Sequence, residues 1–391
     1  MKAGLGRGKR LASTRVPDEG KSNVQLPIPL TILTGFLGSG KTTLLKAVLN
    51  SPAMAGTAVI VNEFGEVGLD DALIRSTGGG ASDSTVLLPS GCVCCEVQGD
   101  LIEALLKLHE DVLAGRIPEI ARVVLETTGL ADPGPIARAL VSDRDLFRVY
   151  RLDGIVATVD AEHIRAQLAE NSEAARQIAL ADRLVLTKTD RATAAIAEDA
   201  ALLMGELNAA APIKRVVKGA VDPMLLFGIG ATEISATGID ATAWLAADRY
   251  KSLGSHDHSH GHAHDHDCSA HGCDHGHNSQ DHMPAHDPAK AAHLHGITSF
   301  CLTFEKPLDG RKLEGVMEAV RMVYGAKILR MKGIIAVEGE ALPFVIHGVA
   351  QTFYPTERLP AWPSDDRRSR IVFITRHLDE KSVRTAFGPL F

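Results

Sequence analysis

Aromatic side chains are scarce in this chain: Phe, Trp and Tyr make up 4% of 391 residues, and only two are tryptophan. A protein that stacks single-stranded nucleic-acid bases needs aromatic platforms, so the shortage argues against that class. No run of roughly eighteen apolar residues occurs, and no segment reads as a membrane-spanning helix. The first 26 residues lack the apolar stretch of a secretory signal. They are polar and basic, with Lys2, Arg7, Lys9, Arg10 and Arg15, and read as a disordered tail, a transit peptide being the alternative. Six cysteines do not make a disulfide framework in so long a chain, and three of them fall within four residues, where pairing is awkward and metal ligation easy. A reducing cytoplasm is the expected location. Excess positive charge is missing too: the net charge of −7, with His neutral, argues against nonspecific nucleic-acid binding but not against a small anion in a local cradle.

What is present is an ordinary globular composition, 45% hydrophobic and 23% charged, in a chain longer than one compact core takes. From residue 27 to about 230, short apolar runs at 30–33, 58–61, 85–88, 122–125, 154–159, 183–186 and 213–217 read as strands. Amphipathic stretches at 42–50, 100–113, 161–179 and 197–207 read as helices between them. Strand–helix alternation with near-continuous apolar strands predicts a mostly parallel sheet covered on both faces. Composition breaks after Leu253. Thirteen histidines lie between His256 and His295, among Asp, Gly, Ser and Ala, so residues 231–295 read as a linker with nothing to bury. Beyond it, strands at 297–304, 327–337, 343–347 and 370–375 around one helix at 311–324 predict a smaller α+β domain over 296–391.

The run Gly35, Phe36, Leu37, Gly38, Ser39, Gly40, Lys41, Thr42 fits GxxxxGK[ST] at every fixed position, after an apolar strand and before a helix. Its glycines let backbone N–H groups curl around a β-phosphate, and the helix N-terminus at Thr42 and Thr43 adds favourable dipole. Lys41 brings positive charge to the β and γ oxygens, and the Thr42 hydroxyl suits Mg²⁺. The fold class expected is therefore α/β, a P-loop NTPase domain. Glu126, Thr127, Thr128 and Gly129 follow another strand, where such sheets bind ligands. They resemble the DxxG element of GTPases, with Glu126 for a water-mediated hold on Mg²⁺ and the Gly129 N–H for sensing a γ-phosphate. Thr187, Lys188, Thr189 and Asp190 resemble NKxD, with Asp190 placed to accept from the guanine N1–H and 2-amino groups. Thr187 stands where Asn is usual. The base-reading set is thus Thr187, Lys188 and Asp190.

Cys92, Cys94 and Cys95 are soft ligands for Zn²⁺ or Co²⁺, and three sulfurs leave a coordination position open. Inert buried cysteines, a structural zinc and a redox pair are the competing readings. His256, His258, His260, His262, His264 and His266 alternate in a tract that binds divalent transition metals with little discrimination. Between the phosphate loop and the Cys cluster, Glu63, Glu66 and Asp70 sit in a Gly-rich acidic segment that reads as a switch loop, a plain acidic loop being the alternative; the three are candidates for ligating or for positioning water.

Together GFLGSGKTT, VNEFGEVGLDD, GCVCC, ETTGLADPGP and TKTD resemble the CobW-like metallochaperone GTPases, in particular their YjiA-like branch; residues 329–333 and the stretch from His347 resemble the C-terminal domain of that family. The resemblance implies a GTP-binding domain, a CobW-type C-terminal domain, slow intrinsic GTP hydrolysis and delivery of zinc or cobalt to a metal-requiring client protein. It implies that Cys92, Cys94 and Cys95 are the nucleotide-coupled ligands. Lys41, Glu126 and Glu66 are the expected catalytic residues, and Gly35, Gly38, Ser39, Gly40, Lys41, Thr42, Thr43 and Gly129 the phosphate-side set. The expected small-molecule complement is GTP, Mg²⁺ and Zn²⁺ or Co²⁺; neither nucleic acid nor membrane is an expected partner, and an oligomer is compatible. Three other readings compete: cobalt supply for cobalamin synthesis or metalloenzyme maturation, a passive His-rich metal buffer, and a P-loop kinase.

Overall fold

The computed structural model describes residues 27–62, 86–90, 98–230, 245 and 294–391. Seven strands form the first sheet: β1 (Ile28–Gly35), β2 (Thr57–Asn62), β3 (Val86–Ser90), β4 (Arg122–Glu126), β5 (Tyr150–Asp160), β6 (Arg183–Thr187) and β7 (Ile213–Arg215). Each neighbouring pair is parallel, in the order β3-β2-β4-β1-β5-β6-β7. All seven runs legible in the sequence are strands, because residues such as Leu30, Ile32, Val123, Val124 and Ile155 are buried on both faces of the sheet. The central strand β1 lies between β4 and β5, so its C-terminal end sits at the middle of the ligand-facing edge.

The helices are α1 (Lys41–Leu49), α2 (Gln98–Leu113), α3 (Gly134–Ser142), α4 (Arg144–Val149), α5 (Ile164–Glu170), α6 (Ser172–Leu180) and α7 (Ala194–Leu207). The single helix expected over 161–179 is two. Asn171 takes an extended conformation (φ −130, ψ 114), and its side-chain amide turns back to the Gln167 carbonyl, ending α5 before α6 starts. The short helices α3 and α4 were not legible as periodic runs; Asp143 separates them and caps α4 by accepting from the Asp145 and Leu146 N–H groups.

The second sheet is antiparallel: β8 (Ile297–Phe304), β9 (Ile328–Ile335), β10 (Phe344–Val349), β11 (Thr352–Phe353), β12 (Glu357–Arg358) and β13 (Ser369–Arg376), in the order β11-β10-β9-β13-β8, with β12 also on β10. Helices α8 (Gly310–Tyr324) and α9 (Glu380–Ala386) accompany it; the sequence showed only the first. Period-2 alternation divides the strands. Phe300, Met331, Ile371 and Phe373 face α8 and α9, where the Phe300 and Phe373 rings stack at 5.6 Å. Val349 and Ile374 point the other way and join the core of the parallel-sheet domain, and so does Leu329, which a register shift against β13 takes out of the alternation. The antiparallel sheet is therefore buried on both sides.

That shared interface also buries charge. Asp182, which follows α6, receives Arg330 at 2.5 Å and Lys332 at 2.8 Å, all three buried, and Asp182 also accepts the Ile155 N–H. Burial opposes ionisation of Asp182, but the two cations win and hold its carboxyl well below the usual carboxylate range. Burial pushes Lys332 down to about 8, with Asp182 opposing, so it still carries its charge at neutral pH. His347 lies buried beside this group and stacks on Tyr354 at 4.4 Å. The Tyr354 hydroxyl donates to the Ala137 carbonyl of α3, across the domain boundary.

Burial, reinforced by Arg330, pushes the His347 imidazole down to about 3. Its folded-state value lies below its unfolded value, so the unfolded chain binds the extra proton first. The neutral ring's contribution is fully present above about pH 6.5 and is lost as the pH falls toward about 3, at about 1.4 kcal/mol per pH unit. Urea-unfolding midpoints are expected to fall between pH 7 and pH 5, and His347→Phe to flatten that slope. An unchanged slope in the variant would assign the acid sensitivity elsewhere.

Candidate nucleotide-binding site

The phosphate loop leaves β1 at Gly35 and enters α1 at Lys41. Gly35 has φ +142, and a Cβ there would lie 2.3 Å from Thr158 Oγ1 and 2.4 Å from the Thr158 carbonyl. No other residue fits that turn. Gly40, at φ +95, caps α1 from the left-handed region and directs the first helical N–H groups at the loop mouth. Ser39 is buried and shares a 2.6 Å hydrogen bond with Thr158. The Lys41 ammonium donates to the Gly35 carbonyl at 2.9 Å and the Phe36 carbonyl at 3.3 Å, so it spans the mouth of the loop. Thr43 is exposed at the same helix end.

Thr42 lies in the first turn of α1, which follows β1, and Glu126 ends the neighbouring strand β4. The Thr42 hydroxyl donates to Glu126 Oε1 at 2.8 Å, and Glu126 is buried at the end of β4. A hydroxyl and a carboxylate oxygen side by side at a helix N-terminus form a hard donor set that fits Mg²⁺. Beyond β4 the chain folds back over the phosphate loop. The Thr127 N–H donates to the Leu33 carbonyl, and a Cβ on Gly129 would fall 2.7 Å from both Leu37 Cα and Leu37 N. Gly129 thus rests on the phosphate-loop backbone.

The TKTD segment starts at the end of β6. The Thr187 hydroxyl is directed at the Ser39 carbonyl (2.7 Å), with the Val159 carbonyl at 3.0 Å. Thr187 is buried and its hydroxyl ties β6 to the phosphate loop. Lys188 adopts φ +55 and pairs with Asp160 at 2.7 Å. Burial disfavours the Asp160 charge, but hydrogen bonds from Lys188 and His163 outweigh it and hold the carboxyl below the usual aspartate range. The carboxylates of Asp160 and Glu162 cluster with His163, yet Lys188 and Arg191 already neutralise both acids. Asp190 is exposed at the same edge.

Sequence reasoning missed three contributors. Residues 216–220 form a tight turn bridged between Val217 and Ala220. The turn is held by Thr189 Oγ1 on the Val216 carbonyl, and Gly219 packs so close to α1 that a Cβ would lie 2.8 Å from the Thr43 carbonyl. Lys218 and Gly219 have positive φ there, and the Lys-Gly pair was the available signal. Thr158 and Gln177 are the others; neither belongs to a local motif. Cys92, Cys94, Cys95, Glu63, Glu66, Asp70 and His256 through His266 lie outside the described residues, as do most of the linker and the N-terminal 26 residues. Among the described residues, no helix is long and apolar enough to cross a membrane.

Residues 29–215 match the CobW/HypB/UreG nucleotide-binding domain, and residues 297–390 match the cobalamin synthesis protein cobW C-terminal domain. The chain is 33% identical to the zinc chaperone YjiA of Escherichia coli, over 93% of this chain and 99% of that protein. It is 28% identical to the zinc chaperone CobW of Pseudomonas aeruginosa, over 96% of each chain. The crystal structure of Zn(II)-bound YjiA GTPase from E. coli superposes with a TM-score of 0.63 at 30% identity, covering 94% of this chain and all of that one. Continuous similarity across both domains, on a phosphate loop whose neighbours meet in the geometry above, places this chain in the CobW family.

Proposed function

We propose that this protein is a GTP-dependent metallochaperone that binds Zn²⁺, with Co²⁺ as the alternative cargo, hydrolyses GTP and hands the metal to a client protein. Two relatives that span nearly the whole chain carry the name zinc chaperone, and the crystal structure of the first of them, YjiA, calls it a GTPase. The observation that carries the reading is the convergence of Lys41, Thr42, Glu126 and Gly129 on one loop mouth, with Asp190 at the same edge.

GTP would lie with its β-phosphate in the 35–42 loop and its guanine against Asp190 and the 216–220 turn. Lys41 would leave the Gly35 and Phe36 carbonyls for the β and γ oxygens. Thr42 and Glu126 would hold Mg²⁺, which supplies charge neutralisation of the transferred phosphoryl group when bound. A water oxygen bonds the γ-phosphorus as the β–γ bridging P–O bond breaks, giving GDP, inorganic phosphate and a proton. Glu66 is the candidate for orienting that water. Cys92, Cys94 and Cys95 are the proposed cargo ligands, with the alternating histidines as an accessory store. The three cysteines come just after β3 in the sequence, and β3 is an end strand of the described sheet. Coupling between nucleotide and metal is reciprocal: whatever factor GTP adds to metal affinity, metal adds to GTP affinity.

A competitive Zn²⁺ titration of the full chain and of Cys94→Ser, with a Mg²⁺–GTP analogue, Mg²⁺–GDP or no nucleotide, tests this. One tight site that strengthens with the analogue and disappears in Cys94→Ser is the expected result. Equal affinity in all three states would leave a GTPase with no nucleotide-gated cargo.

A further inference from the structure

Gln177 is a polar residue on the buried side of α6, with Ala174, Ala175, Ile178 and Ala179, and it is 1% exposed. Its amide nitrogen donates to the Gly129 carbonyl at 3.0 Å and to the Ala131 carbonyl at 3.0 Å. Both amide hydrogens are used, and the side-chain carbonyl Oε1 is buried with no hydrogen-bond partner. Leaving that acceptor unmatched is unfavourable, so the site keeps a glutamine for its two donors and not for general packing. The preceding residue, Arg176, pairs with Asp132 at 2.8 Å, and Asp132 in turn accepts the Gly134 N–H. Three nearby points of the segment that follows β4 are thus gripped from α6: Gly129, Ala131 and Asp132.

The opposite side of Gly129 is pressed against Leu37 of the phosphate loop. With its carbonyl held by Gln177 and its α-carbon against Leu37, Gly129 is pinned at two points, and a shift of residue 129 that would carry its N–H away breaks one contact or the other. The helix is itself anchored. Asp182, two residues past its end, is buried between Arg330 and Lys332 of the C-terminal domain, and α6 packs on β9.

We propose that Gln177 is a positioning residue for GTP hydrolysis, holding residues 129–131 in the register that presents the Gly129 N–H to the γ-phosphate. The inference rests on the GTPase reading above. Gln177 touches neither nucleotide nor water and acts through the backbone of Gly129.

Steady-state GTP turnover and GDP binding of the full chain, with Mg²⁺ and without added zinc, test it with two variants. Gln177→Met keeps length and volume and removes both donors. We expect kcat to fall about tenfold while GDP affinity stays within about twofold, because GDP does not use the Gly129 N–H. Gln177→Glu places a carboxylate against two carbonyl oxygens; when protonated it regains one donor. Its turnover relative to wild type is expected to rise as the pH falls from 8 to 5.5, a rescue that general loosening of the fold would not give. Wild-type turnover with Gln177→Met unchanged, or a flat Gln177→Glu ratio across that range, overturns the inference while leaving the GTPase reading intact. Absence of GTP turnover in the wild type overturns the reading and the inference together.

Discussion

Asp182→Ala is expected to destabilise the chain by about 3–5 kcal/mol, the cost typical of removing one partner from a buried ion group. The variant leaves the guanidinium of Arg330 and the ammonium of Lys332 buried beside each other without the carboxylate that both contact. It also removes the acceptor of the Ile155 N–H at the start of the apolar half of β5. Two like charges in a water-poor interface repel, and neither hydrates without opening the contact between the domains. Thermal and urea unfolding of Asp182→Ala, Asp182→Asn and the double variant Asp182→Ala/Lys332→Met separate the contributions. Asn retains an acceptor for Ile155 and cancels only the charge. Met at 332 removes one stranded cation and restores part of the loss. A shift below about 1 kcal/mol in Asp182→Ala would mean that water already reaches the two cations in the native state.

This ion group marks the limit of what a single sequence discloses. In β9, Arg330 and Lys332 alternate with Met331 and Gly333, a pattern that by itself describes a strand with one wet face. The face is dry because the parallel-sheet domain covers it and brings Asp182 from about 150 positions away. Period-2 alternation gives the face but not its neighbour. The same holds for Gln177: one glutamine in a short helix looks like a solvated residue until the fold lays it over residues 129–131. The phosphate side was far more legible. A phosphate loop constrains consecutive backbone positions, so Gly35, Gly40, Lys41 and Thr42 are recognisable from spacing alone, and the strand order then carries Glu126 to Thr42. The parallel strands were legible because double-sided burial demands unbroken apolar runs. Helices α3 and α4 were not, since short helices are held by caps such as Asp143 and by packing, with too few turns for a period to show.

Gly129→Ala is the second large effect, and it falls on function more than on folding. Gly129 is not in the left-handed region, so alanine meets no backbone penalty there; the obstacle is space. Of the atoms a new Cβ would meet, Leu37 Cδ2 at 2.6 Å can rotate away, but Leu37 Cα and N at 2.7 Å belong to the phosphate-loop backbone. Either that loop or the 127–132 segment must shift, and Gln177 and Arg176 hold the second from behind. The displacement therefore goes into the phosphate loop or is divided between the two. A misplacement approaching 1 Å at a phosphoryl-transfer site costs on the order of 100-fold in turnover. Leu37 is 55% exposed, so the strain is relieved toward solvent and the unfolding temperature should hardly move. Phosphate release, GDP and GTP-analogue binding, and melting temperature are the measurements, with Gly205→Ala in α7, where a Cβ meets nothing within 4 Å, as the matched control. The expected pattern is turnover down about 100-fold, GTP-analogue affinity reduced more than GDP affinity, and loss of the nucleotide dependence of zinc binding, because in the proposed mechanism all three pass through the Gly129 N–H. Turnover within about threefold of wild type would show that the phosphate loop yields without consequence, and residues 126–129 would then have to sense the γ-phosphate through a group other than Gly129.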